Sequence, residues 1–152
     1  MFSTVRYFIK TSIIFLVIGL LTGLYMSMCT NVFKTGYGAE LISAHTHLIL
    51  AGSIMMMIMG VALWFFPRPE KEDTRYKPDV IRISYWIMTL STSLRFISQV
   101  ISSFEEIQFL HWMITLFSIG QITAMIIFFY GMWGRIRSSG GSRLRELKGE
   151  KF

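Results

Sequence analysis

Apolar residues along this chain run in long blocks rather than in alternation. Four blocks stand out: Thr11 to Met28, Leu41 to Phe66, Val80 to Ile101 and Phe109 to Trp133. Each is close to the ~20 residues that a helix needs to cross a hydrocarbon layer of about 30 Å. A lone strand in lipid would leave its backbone polar groups unsatisfied, so the blocks predict four transmembrane helices and an all-α integral membrane fold. The polar breaks between them are short. Asn31 to Glu40, with Gly36 and Gly38, predicts a turn into the second helix. Pro67-Arg68-Pro69 stops that helix, because proline cannot continue the hydrogen-bond ladder and restricts the residue before it. Glu70 to Pro78 reads as a charged loop, and Ser102 to Gln108 as a tight hairpin carrying Glu105 and Glu106. The expected organisation is a four-helix transmembrane domain over residues 1–137. Ser138-Ser139-Gly140-Gly141-Ser142 then leads into a flexible basic tail, 138–152.

Composition agrees: 53% of the 152 residues are hydrophobic and 15% aromatic. The net charge of +6 would suit nucleic acid if it formed a folded reading surface, but it is spread over the polar breaks. Arg6 and Lys10 precede helix 1, Arg68 to Arg82 fill the second connection, and six basic residues from Arg135 to Lys151 end the chain. The first connection has only Lys34 and the third has no basic residue. By the positive-inside rule both termini and the second loop are cytoplasmic, which predicts a multi-pass protein of the cytoplasmic membrane. The basic excess meets anionic lipid headgroups, and no nucleic-acid role is expected. The single Cys29 excludes an intrachain disulfide or a cysteine-based metal site within one chain. Helix 1 lacks a small-residue cleavage signal and is expected to remain as an anchor.

The chemistry gathers near one membrane face. His45-Thr46-His47 opens the second helix, Arg95 and Gln99 lie near the end of the third, and His111 begins the fourth. On a 3.6-residue helix, positions i and i+2 point roughly 200° apart. The two imidazoles therefore serve two centres on opposite sides of the helix. Zinc or copper wants three or four converging ligands, whereas a haem takes one imidazole from each side of a flat ring. Gly52, seven residues after His45, and Ala51, four after His47, would let a porphyrin approach the backbone. Arg95 would meet the propionates, with Gln99 as a neighbouring donor, or else pair with Glu105 or reach up to the lipid headgroups. His111 is equally an interfacial histidine or a further ligand. The Met55-Met56-Met57-Ile58-Met59 run reads as adaptable packing, and Trp112, Tyr130 and Trp133 as interfacial anchors.

The run Ser43-Ala44-His45-Thr46-His47, then Gly52, Met59-Gly60 and Trp64-Phe65-Phe66-Pro67, resembles one helix of the haem-copper oxidase superfamily. That family includes subunit I of cytochrome c oxidase and the catalytic subunit of nitric oxide reductase. There the first histidine of the motif binds the high-spin haem and the second the low-spin haem. The family subunit has about twelve helices in three equivalent arcs of four. The resemblance thus implies that this chain is a single arc and that three copies form a homotrimer. His45 of one copy and His47 of the next would hold a haem b between them. Helix 3 has no histidine and no His-His dipeptide occurs, so the family's copper centre is not expected. The predicted helices also lack internal Asp and Glu for proton channels.

These readings lead to a copper-free b-type cytochrome that moves single electrons, with a quinol or a periplasmic carrier as its partner. Three alternatives stay open. One haem could be five-coordinate and bind oxygen or nitric oxide. The chain could be a haem-free accessory subunit of a respiratory complex, its histidines making hydrogen-bonded helix contacts. A haem could also lie within one chain, between the second helix and His111.

Overall fold

The computed structural model describes residues 2–66, 77–136 and 149. The Pro67-Arg68-Pro69 stop, most of the charged loop and all of the tail except Gly149 lie outside them. Five α-helices make four rods: α1 (Phe2–Met28), α2 (Ala39–His47) with α3 (Met56–Phe65), α4 (Pro78–Ser102) and α5 (Gln108–Met132). Helix α1 runs into a π turn, Cys29–Phe33, which ends at Lys34 in the left-handed region (φ 54°). A second π stretch, Leu48–Met55, joins α2 to α3 into one span. The rods alternate in direction. One end of the bundle, called upper below, carries the 34–38 and 103–107 connections. No strand occurs among the described residues.

Three stretches are long and apolar enough to cross a membrane: Ser3–Phe33, Ala39–Phe65 and Gln108–Arg135. Helix α4 has the same 25 residues as α5 but falls short in hydropathy, which departs from the expectation of four apolar spans. The reason is where it sits. Its Ser84, Ser91, Thr92, Ser98, Gln99 and Ser102 are buried inside the bundle. Helices α1 and α5 are the converse: only 17% of their apolar windows is buried, against 44% for the α2–α3 rod. Lipid-facing positions on α1 and α5 are accordingly Ile, Leu and Val (Ile14, Leu20, Leu24, Ile119, Ile126), while the inward helix can hold polar side chains because they find partners there.

The interior is divided along its length. The lower half is apolar, built on Phe8, which meets Tyr85 and Phe128 edge-on at centroid distances of 5.2 and 5.7 Å. Met56, Met59 and Met88 are fully buried around it, so the methionine run does supply packing. Small residues let the backbones close up: a Cβ on Gly60 would lie 3.0 Å from Phe8 Cβ, and Ser84 Oγ donates to Ala124 O at 2.7 Å. The upper half is polar and holds the residues singled out above.

The lower end is closed by Arg135, the first basic residue after α5, which is 0% exposed. Its Nη2 donates to the carbonyls of Leu63 (3.0 Å) and Phe66 (2.9 Å), capping the end of α3 from the end of α5. Replacing it with alanine leaves two carbonyls short of a charged donor. Arg135→Ala is expected to cost about 2–4 kcal/mol, read as a lower unfolding midpoint in detergent.

Candidate functional site

His45 and His47 leave α2 on opposite sides, as a two-residue step on a helix requires. His45 turns toward α1, where its Nδ1 lies 2.9 Å from Gly19 O. A carbonyl can only accept, so this bond places the proton on Nδ1 and leaves Nε2 of the neutral ring with a free lone pair. The ring lies over Gly23: a Cβ there would come within 2.8 Å of His45 Cε1. One turn earlier, a Cβ on Gly19 would meet Ile49 Cγ1 at 2.6 Å. Gly19-x-x-x-Gly23 is thus a small-residue groove of the kind that brings membrane helices into close contact. The sequence carried this signal openly, and the reading above passed over it.

His47 turns toward α4 and α5. It lines a cleft too tight for a water molecule, with Thr92, Arg95, Gln99 and Gln121, and neither ring nitrogen makes a hydrogen bond among the described residues. Arg95 donates from Nη1 to Gln121 Oε1 at 2.8 Å, and Gln121 Nε2 donates to Thr92 Oγ1 at 2.9 Å. Gln99 donates from Nε2 to Ser43 Oγ (2.6 Å) and to Glu40 Oε2 (3.3 Å). In this cluster two buried polar atoms, Arg95 Nε and Gln99 Oε1, have no partner among the described residues. His47 lies in the field of Arg95, and Arg95 in that of Glu40. Orphaned donors and acceptors next to a half-buried cation are costly in an apolar medium, and such groups mark functional positions.

The structure therefore brings Arg95 and Gln99 together with His47 and leaves His45 apart. It adds Gln121, Thr92, Ser43 and Glu40, which the sequence reading did not pick out. Gln121 is the only amide inside the apolar length of α5, and that singularity was the available signal. Gly52 departs from the expected open face. A Cβ on it would meet Thr92 Cγ2 at 2.8 Å and Phe15 Cδ2 at 2.9 Å, so its space is filled from within the chain. Ala51 is buried as well. Gly52 keeps to the α1 side that His45 faces, and that side is packed against Phe15 of α1 and Thr92 of α4. His111 stands away from this cluster, in a recess with Glu40, Glu105 and Glu106. Among the described residues no three His, Cys, Asp or Glu side chains converge as a metal-ion cage would require. No protein-family model matches the chain, and no curated protein or solved structure is significantly similar to it.

The glycine groove is directly testable. Gly23→Ala pushes the His45 ring away from α1. It is expected to cost about 1–3 kcal/mol and to abolish the hydrogen-bonded Nδ1–H signal in nitrogen NMR. Gly36→Ala, where an added Cβ meets nothing within 4 Å, serves as the neutral control.

Proposed function

We propose that this chain is a b-type haem protein of the cytoplasmic membrane, a single-arc relative of haem-copper oxidase subunit I without the copper site. The observation that carries the reading is the opposed pair of imidazoles, one of them fixed as the Nδ1–H tautomer by Gly19 O. Histidines that ligate a metal through Nε2 commonly hold their other ring proton on a backbone carbonyl, which sets the tautomer and the ring plane. His45 has that arrangement, and His47 offers two nitrogens unengaged by the described residues.

The donor set fits haem and not a metal cage. It consists of two diverging imidazoles, His45 set against α1 and His47 turned toward α4 and α5 beside Arg95. The cleft beside His47 is too tight to admit a water molecule, far below the 300–1,000 Å³ typical of ligand pockets. A porphyrin would thus lie against the outside of one chain, with its second axial imidazole drawn from a neighbour. With the three-arc symmetry that the resemblance implies, the assembly would be a homotrimer in which His45 of one copy and His47 of the next hold the haem. Held by His45 and His47, haem would supply a one-electron couple suited to electron transfer. The chain's own part is to hold His45 rigid through Gly19 and Gly23, to set the cationic Arg95 beside the porphyrin edge, and to exclude water with the flanking helices. A quinol or a periplasmic carrier is the matching electron partner.

The His45–Gly19 bond also favours a second reading, a haem-free accessory subunit in which the histidine only ties α2 to α1. Haem content separates the two. The purified protein is expected to show a low-spin b spectrum unaltered by carbon monoxide and a native mass of three chains. His45→Ala and His47→Ala are each expected to lose the haem, measured as the pyridine haemochrome. No stoichiometric haem in the wild type, or full haem in both variants, overturns the reading.

A further inference from the structure

Three cavities at the upper end share one side chain, Phe104, and differ in chemistry in a consistent order. The first, about 300 Å³, is an apolar trough on the flank of the bundle lined by Leu21, Leu41, Phe96 and Val100. The second, about 330 Å³, is bordered by Tyr25, Tyr37 and Ser103 and by the backbone of Gly36 and Gly38. The third, about 420 Å³, is the recess of Glu40, Glu105 and Glu106, with Ala39 on its wall. Ser102 forms part of that recess, is only 6% exposed, and its hydroxyl has no partner.

Each compartment selects a different group. The trough takes a hydrocarbon chain. The middle pocket offers hydroxyls, together with the amides of Gly36, Tyr37 and Gly38, none of which donates to a backbone carbonyl, at the start of α2; such donors suit a phosphodiester. The recess suits a cation. None of its three carboxylates forms a salt bridge among the described residues, although Glu40 lies in the field of Arg95. The carboxylates do not converge as a metal cage, and the exposed Phe104 ring beside them offers a face to an ammonium. His111 is the other titratable group on its wall.

We propose that the Phe104 groove binds a zwitterionic aminophospholipid, with acyl chain, phosphate and ammonium in the three compartments in that order. The order follows the molecule's own, and the total length runs from the flank of the bundle to its polar end. An anionic lipid would place its uncompensated charge and a neutral headgroup against the three glutamates. This site is independent of the haem reading and stands whether or not the protein carries haem.

The test uses the full chain, delipidated in detergent and titrated with dioleoyl phosphatidylethanolamine, phosphatidylcholine or phosphatidylglycerol, with bound lipid counted by native mass spectrometry. Phosphatidylethanolamine is expected to bind about tenfold more tightly than phosphatidylglycerol, with phosphatidylcholine, which lacks ammonium N–H donors, between them. The double variant Glu105→Gln/Glu106→Gln, at exposed positions, is expected to lose that preference while keeping its melting temperature. Phe104→Ala is expected to weaken all three lipids. Equal binding of the ethanolamine and glycerol lipids, or an unchanged preference in the double variant, overturns the proposal.

Discussion

A polar helix in an apolar solvent has one stable place, and α4 occupies it. Its buried serines, Thr92 and Gln99 cannot face lipid without leaving hydrogen-bonding groups unsatisfied, so its polar face is turned onto α5 and the α2–α3 rod while Ile83, Leu90 and Ile97 face outward. Helix α5 packs along its length through Gly120 against Ser91 and through Ala124 O, which accepts from Ser84. The α2–α3 rod reaches it through Ser43 to Gln99 above and through the methionine core below. Helix α1 contacts it more sparsely, through the Thr11–Tyr85 hydroxyl pair at 2.9 Å, and otherwise packs on the α2–α3 rod. Stability in such a bundle comes from close backbone approach and satisfied polar pairs, because transferring a leucine from lipid to protein gains little.

The same constraint explains why the polar layer sits where it does. Arg95 is held by an amide rather than by a carboxylate, and the amide is in turn oriented by Thr92. The nearest carboxylate, Glu40, acts on Arg95 through its field rather than by a direct hydrogen bond. The imidazole of His47 shares that electrostatic setting, whereas His45 is isolated from it on the α1 side. In the proposed cytochrome the two axial nitrogens of one haem would therefore come from unlike surroundings. One is rigid and apolar, the other lies beside a cation.

Much of this was legible in the sequence. The blocks of apolar residues located the rods, and the 3.6-residue period alone put the two histidines on opposite sides. Boundaries moved where amphipathic residues were counted as polar. Helix α1 starts at Phe2 instead of Thr11, because Arg6 and Lys10 lie on exposed faces of a continuing helix. Gly52 lies on the same α1 side as His45, but the hydrophobic pattern does not say that Phe15 and Thr92 fill the space beside it. Gln121 was passed over because nothing in the uniformly apolar α5 says which of its faces meets α4. Arg135 read as part of a basic run at a membrane surface; only the packing of α5 against the end of α3 turns it into a buried cap.

The stretch from Leu48 to Met55 gives the α2–α3 rod a property that a uniform helix lacks. Its wider winding acts as a phase joint, so the azimuth of the imidazoles above is set separately from that of Met56, Met59 and Leu63 below. Removing a single residue there would rotate one half against the other by roughly 100°. The histidine-bearing half and the methionine-packed half therefore answer to different substitutions.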